Sequence, residues 1–182
     1  DLSGGRFTVN RNMVLVSPET DLDALPKTHP WLETTHLVVK PDQLFGKRGK
    51  NKLLCLDASW ASARKWIEER MGKEITITQT TGKTTGTLTH FLVEPCIKHG
   101  KEYYVGITTA REHDSIYFST QGGVDIEEAW SSVVETKVGI LDDLEKIEVQ
   151  LPADLEDKET AAAFVKALYK VAVAYHFTYL EI

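Results

Sequence analysis

Two amphipathic helical segments, each set among short β-type runs, most constrain what this chain can fold into. The first, 60–71, has apolar side chains at helical spacing, with Asp57 or Ser59 as a cap and Gly72 at its end. The second, 158–175, shows one apolar stripe, formed by Phe164, Leu168, Val171 and Tyr175. Runs such as EITITQ and FTYLEI flank these helices and favour strands. The sequence therefore predicts an α/β fold.

Further β-type runs divide the chain into two parts. They lie at 12–17, 37–39, 53–56 and 90–97, and two more strands joined by a polar turn at 112–114 are expected within 102–120. Ser17 before Pro18 predicts a helix of about two turns that Pro26 and Pro30 limit. We expect one lobe over 1–97, whose N-terminal residues can join the second lobe, and a second lobe over 98–182.

Charge and composition exclude several classes of protein. The net charge of −6 over 182 residues argues against general affinity for nucleic acid or anionic lipid. Residues 121–160, with 12 acidic and 3 basic side chains, are interpreted as a solvated helical face. No apolar run is long enough for a membrane span, and Cys55 and Cys96 fit reduced, buried thiols, so a cytoplasmic protein is expected. The six histidines lack zinc-like spacing.

A basic loop follows one of the predicted strands. Residues 40–52 contain five basic side chains and one acidic one, which charge alone explains best as a solvated turn. Lys40, however, ends an apolar strand, and the carboxyl ends of strands in α/β sheets are where ligands bind. A lysine there can present its charge to phosphate, Arg48 offers a planar fork, and Gly49 lets backbone N–H groups approach closely. The loop is therefore a candidate phosphate site.

Two more segments invite a nucleotide interpretation. TTGKTTG, 80–86, resembles the end of a P-loop, but the first glycine is missing and no helical pattern follows, so a flexible loop is expected. At FLVEP, 91–95, Glu94-Pro95 breaks a strand and leaves backbone groups that can pair with the edge of adenine. Glu102 can accept hydrogen bonds from ribose hydroxyls, although Glu-Pro is more often a simple connection.

Taken in order, HPWL, LVVKPDQL, KRGK, FLVEP, QGGVD and FTYLEI closely resemble the ATP-grasp region of the ATP-citrate lyase family over nearly the whole chain. The resemblance implies an ATP-grasp fold with the nucleotide between two α/β lobes. It implies ATP ligands at the positions Lys40, Arg48, Gly49, Glu94, Pro95, Ile97 and Glu102. It also suggests a truncated small (β) subunit of a two-subunit enzyme.

The related succinyl-CoA synthetase β subunit shares the Arg-Gly-Lys loop and a closing Glu-Ile. That likeness implies a catalytic role for Glu181 beside a phosphohistidine of the partner subunit, although Glu181 could also be the polar end of a strand. The family motif implies Mg²⁺ ligands in sequence that follows Ile182, and citrate binding further on.

The leading hypothesis is the nucleotide-binding part of an ATP-citrate lyase, which passes the γ-phosphoryl group of Mg-ATP to a histidine. The implied partner is a large (α) subunit with that histidine and with CoA-binding and cleavage domains, in a hetero-oligomer that takes citrate and CoA to acetyl-CoA and oxaloacetate. Two alternatives stay open: a citryl-CoA or succinyl-CoA synthetase (ADP-forming) subunit, and a non-catalytic nucleotide-sensing or assembly fragment.

Overall fold

Two four-stranded sheets, each covered by a helix on one face, form the centres of two separate units. The computed structural model describes residues 4–79, 82–123, 126, 130–143 and 145–182. The first unit is Asn10–Lys98, and the second joins the N-terminal residues up to Val9 with His99–Ile182. Each unit has its own hydrophobic core.

In its described residues, the first unit holds six strands and three helices. They are β1 (Val14–Val16), α1 (Leu25–Thr28), α2 (Trp31–Thr34), β2 (Leu37–Pro41), β3 (Cys55–Ala58), α3 (Trp60–Glu68), β4 (Glu74–Gln79), β5 (Gly82–Thr87) and β6 (Phe91–Pro95). The main sheet has the order β1-β6-β2-β3 and all its pairs are antiparallel, while β4 and β5 form a separate hairpin.

Alternating side chains decide which face of the first sheet is covered. Leu37 and Val39 of β2 are fully buried, whereas Val38 and Lys40 lie on the other face. Helix α3 begins after Ser59, whose hydroxyl accepts a hydrogen bond from the N–H of Ser62 at 3.3 Å. It buries Ala63 and Ile67 completely, so α3 covers the β2 and β3 side of the core.

The second unit repeats this plan with different strands. It contains β7 (Tyr104–Thr109), β8 (His113–Ser119), a 3₁₀ turn (Trp130–Ser132), β9 (Val134–Gly139), α4 (Lys158–Ala174) and β10 (Tyr179–Glu181). The sheet has the order β10-β7-β8-β9 and is antiparallel throughout. Asp157 caps α4 by accepting the N–H of Thr160 at 3.0 Å.

Several sequence predictions are wrong in detail. No helix begins at Pro18; Ser17 and Thr20 form a turn, and the short helices α1 and α2 begin next to the prolines that were expected to end one. Gly82–Thr87 is strand β5 rather than a flexible loop, because its threonines pair with β4; residues 80 and 81 lie outside the described residues. A strand here also excludes the helix that must follow a P-loop.

Two predictions about the second unit also need correction. In the described part of the acidic segment 121–160, most residues form β9 and irregular chain, not a helical face. In α4 the buried positions are Val165, Tyr169 and Ala172, one residue later than expected, and Tyr175 is 70% exposed. The extent of α4 itself is confirmed to within a residue.

Candidate nucleotide-binding residues

Lys40 and Glu94 contact each other on the face of the first sheet opposite α3. Lys40 comes from β2 and Glu94 from the neighbouring strand β6, and the Lys40 Nζ to Glu94 Oε1 distance is 2.7 Å. Their side chains are 29% and 32% exposed. In the sequence, Lys40 drew attention because ligands bind at the carboxyl ends of strands in α/β sheets. That reason is wrong here, because the rule concerns parallel sheets and this sheet is antiparallel. What distinguishes Lys40 is a half-buried ammonium with one carboxylate partner.

The basic loop after β2 is folded back onto the end of that strand. Arg48 Nη1 donates to the carbonyl oxygen of Pro41 at 2.9 Å. Pro41 directly follows Lys40, so the guanidinium is held at the same end of β2. The N–H of Leu53 donates to the carbonyl of Arg48, and that of Lys52 to the carbonyl of Gly49. The loop is therefore an ordered turn that holds a second cation beside β2.

Asn51 attaches this loop to the β4–β5 hairpin. Its amide nitrogen donates to the carbonyls of Lys47 at 2.9 Å and Thr78 at 3.2 Å. Lys47 and Lys52 have positive φ values of 51° and 56°, which lets the chain reverse within a few residues. Asn51 was not recognised in the sequence, although Asn in a turn is a common signal for such bonds.

The segment expected to meet adenine is less open than predicted. Glu94 and Pro95 lie within β6 and pair with Val38 and Leu37 of β2. The N–H of Cys96 donates to the carbonyl of His36 at 2.7 Å, so this backbone donor already has a partner. Ile97, at 65% exposure, lies just past the strand. An apolar side chain, rather than a row of unpaired backbone groups, is the most accessible feature here.

Glu102 belongs to the second unit and has partners of its own. Its Oε1 lies 2.7 Å from His99 Nε2, and its backbone carbonyl accepts the N–H of Gly122 at 3.0 Å. A Cβ on Gly123 would lie 2.1 Å from Glu102 Oε2. The glycines of QGGVD therefore pack directly against Glu102; Val124 and Asp125 of that motif lie outside the described residues.

Glu181 lies at the end of β10, opposite Gly106 of β7. Its Oε2 accepts a hydrogen bond from the hydroxyl of Tyr179 at 2.8 Å. Burial, then the bond to Glu181, raises the pKa of Tyr179, and burial together with the nearby Glu181 charge raises the pKa of Tyr104. A Cβ on Gly106 would come within 2.6 Å of the Tyr104 hydroxyl oxygen, so this glycine makes room for the ring. One phenol thus donates to the Glu181 carboxylate, and a second lies close enough to feel its charge.

The described residues offer neither a metal cluster nor a membrane segment. Within them, no group of three or more His, Cys, Asp or Glu side chains is arranged to hold a metal ion, so a Mg²⁺ site is not assigned to them. No helix in the described part of the chain has the length and apolar character to cross a membrane. Cys55 and Cys96 are free and half-buried rather than buried.

Comparisons with known proteins agree with this fold. The family model described as "ATP-citrate synthase ATP-grasp domain" matches residues 2–182. A probable ATP-citrate synthase subunit 2 of Schizosaccharomyces pombe is 41% identical over 162 residues, which are 85% of this chain and 32% of that protein. ATP-citrate synthase alpha chain protein 2 of Arabidopsis thaliana is 35% identical over 99% of this chain and 42% of its own length.

A solved structure of an ATP citrate lyase also resembles this chain. The ATP citrate lyase of Methanothrix soehngenii, in complex with citrate and coenzyme A, superposes with a TM-score of 0.83 at 42% identity, over 97% of this chain and 41% of that one. The chain spans less than half the length of these relatives. The plant relative is named an alpha chain, whereas a subunit named β was expected from the sequence. With a family match over nearly every residue, the chain belongs to the ATP-citrate synthase ATP-grasp domain family and has the ATP-grasp fold.

Proposed function

We propose that this chain is the nucleotide-binding part of an ATP-citrate lyase and that its two units are the two ATP-grasp lobes. The observation that carries the proposal is the pair of cations at the end of β2. Lys40 is half-buried, and Arg48 is fixed on the carbonyl of the next residue, Pro41. Two positive groups, the Lys40 ammonium and a guanidinium held on the carbonyl of the residue after it, suit a polyphosphate, which needs charge neutralisation and a fixed position more than it needs a nucleophile.

Glu94 has a defined part in this proposal. Its carboxylate neutralises the Lys40 ammonium across a 2.7 Å contact. Triphosphate oxygens would compete for the same ammonium, so Lys40 can exchange one anionic partner for another with little reorganisation of β2. In the first unit, the exposed Ile97 side chain offers apolar surface to a base. In the second unit, Glu102 is the acceptor that we propose for ribose hydroxyls.

The group transferred is the γ-phosphoryl group of ATP, and the acceptor is a histidine of a partner subunit. An imidazole nitrogen forms the N–P bond while the bond from Pγ to the β–γ bridging oxygen breaks, which releases ADP. Glu181 accepts the other imidazole N–H and orients the ring. ATP-grasp enzymes in general use ATP with Mg²⁺; no step here is assigned to the metal. Citrate, CoA and cleavage belong to the rest of the assembly.

The experiment uses the complete subunit with its partner chain and ATP labelled at the γ-phosphate. The expected product is an acid-labile, base-stable phosphohistidine on the partner, which citrate and CoA discharge. Glu181→Gln should slow labelling while ATP still binds. Failure of the complete, folded enzyme to label any histidine would contradict the proposal.

A further inference from the structure

The Glu102 carboxylate is restrained on two sides, by His99 and by Gly123. His99 Nε2 contacts one oxygen, Oε1, at 2.7 Å. The other oxygen, Oε2, faces Gly123 so closely that a Cβ there would lie 2.1 Å away, far inside the van der Waals limit. The backbone of Gly123 therefore forms one wall of the space in which the carboxylate lies.

The backbone that carries Glu102 is restrained as well. Gly122 donates its N–H to the Glu102 carbonyl at 3.0 Å, and a Cβ on Gly122 would lie 2.6 Å from the carbonyl oxygen of Tyr103. Gly123 has a φ of +81°, a conformation that side chains disfavour. Two glycines in succession are thus needed for this close approach, which accounts for the Gly-Gly of QGGVD.

The contact between His99 and Glu102 is a poor source of stability. Their side chains are 54% and 51% exposed, and exposed ion pairs contribute little to folding because water screens them. A nearby cation, Lys101, donates instead to Glu156 at 2.6 Å. A carboxylate has about four acceptor positions, so one bond from His99 leaves the others available to hydroxyl groups. His99 therefore fixes the direction of the Glu102 carboxylate and adds little to the stability of the fold.

We propose that His99 is a positioning residue which, with the wall formed by Gly122 and Gly123, aims the Glu102 carboxylate at the ribose hydroxyls of the nucleotide. It contributes in this way to the preference for ribonucleotides over deoxyribonucleotides. This inference rests on the proposed function of the same site. His99 touches Glu102 rather than the reacting atoms, so it acts on nucleotide binding and not on the chemical step.

The test compares ATP with 2′-deoxy-ATP and 3′-deoxy-ATP in the complete enzyme assembled with its partner. His99→Leu should raise KM for ATP about 3–10-fold, as expected for a partly lost charge-assisted hydrogen bond, with kcat nearly unchanged. The ratio of kcat/KM for ATP to that for the deoxynucleotide should fall. His99→Gln, whose amide can still donate, should retain most of the discrimination, and Gly123→Ala should lose it.

His29→Leu is the control, because the His29 side chain is partly exposed and its ring nitrogen shares a hydrogen bond with the neighbouring Thr28 hydroxyl rather than with a carboxylate. An unchanged ATP-to-deoxynucleotide ratio in His99→Leu would overturn the inference, as would equal changes in kcat and KM for both nucleotides. Wild-type enzyme that binds ATP without discriminating, or a Glu102→Gln variant that discriminates normally, would also overturn it. If the wild-type enzyme bound no nucleotide, the proposed function itself would fail.

Discussion

The two sheets share a plan but differ in the face that their helix leaves uncovered. In the first unit this face carries the Lys40–Glu94 pair and exposed leucines such as Leu15 and Leu56. In the second it carries hydroxyl and carboxylate groups, with Tyr179 bonded to Glu181 and Ser115 bonded to Glu135. The same antiparallel scaffold therefore presents apolar surface and charge in one unit, and neutral donors around carboxylates in the other.

This difference fits the separate roles proposed for the two units. A cation next to apolar surface suits a ligand with a flat base and a phosphate chain. Phenols that donate to a carboxylate fix its direction, which suits a group that must orient an imidazole. All six tyrosines of the chain lie in the second unit and three of its four tryptophans in the first, so the two units can be followed separately by spectroscopy.

The largest effect is expected from the cores. Ile67→Ala should destabilise the first unit by about 2–5 kcal/mol, because Ile67 is fully buried under the sheet and leaves a cavity. Hydrogen exchange should accelerate at the β2 and β6 amides. Val165→Ala, at an equally buried position of α4, should accelerate exchange at β7 and β8 instead. Both variants accelerating the same amides would contradict two separate cores.

A smaller effect is expected on the tyrosine face. Tyr179→Phe removes the 2.8 Å hydrogen bond to Glu181. We expect it to raise the activation free energy of phosphohistidine formation by about 0.5–1.5 kcal/mol, which slows that step roughly 2–10-fold. Rapid-quench measurement of phosphohistidine formation gives this rate. Tyr175→Phe, at a 70% exposed tyrosine, is the control. Equal rates for Tyr179→Phe and wild type would mean that Tyr179 does not orient Glu181.

The smallest effect is expected at alkaline pH, where the free energies of unfolding of the two units should change by different amounts. Burial is the leading cause that raises the pKa of Tyr104, Tyr169 and Tyr179, so folding favours their protonated forms. That contribution is complete below the ordinary tyrosine pKa of about 10 and is lost as pH rises above it. The second unit should therefore lose stability there, whereas the first has no tyrosine.

Denaturant unfolding at neutral pH and above about pH 10 would measure this difference. Tryptophan fluorescence reports mainly on the first unit and tyrosine absorbance on the second. Burial also raises the pKa of Cys55 in the first unit, so a Cys55→Ala background removes that contribution. Parallel losses in the two units would show that the tyrosines are not the cause.

The sequence predicted elements well where local signals agreed. Helix α3 combines a serine cap with apolar side chains at helical spacing, and two of these side chains, Ala63 and Ile67, are fully buried. In α4 the length was right but the buried stripe was not, because apolar residues occupy both sides of the true stripe. Tyr169 is buried instead, with its hydroxyl donating to Asp114 at 2.7 Å, and that partner is distant in sequence.

The sequence could not predict what depends on strand pairing. Antiparallel order brings Lys40 next to Glu94, 54 positions along the chain, and nothing local to either residue indicates it. Strand β5 was missed because glycine and threonine also suit loops, and only pairing with β4 distinguishes the two. Local charge and position in the sequence, together with the likeness to a known family, supplied the candidate residues, while the structure supplied partners such as His99 and Tyr179 that the residues alone did not reveal.

The most direct test of the account is ATP binding by Lys40→Ala in the complete subunit, measured by calorimetry. Lys65→Ala is the control, because Lys65 is a 77% exposed lysine on α3, on the other side of the sheet. We predict that Lys40→Ala weakens ATP binding by about 1–3 kcal/mol, from the loss of one charged hydrogen bond, with unchanged unfolding of the first unit. The Lys65→Ala variant should bind like wild type. Equal affinity of the Lys40→Ala variant and wild type for ATP would contradict the central claim that this face holds the triphosphate.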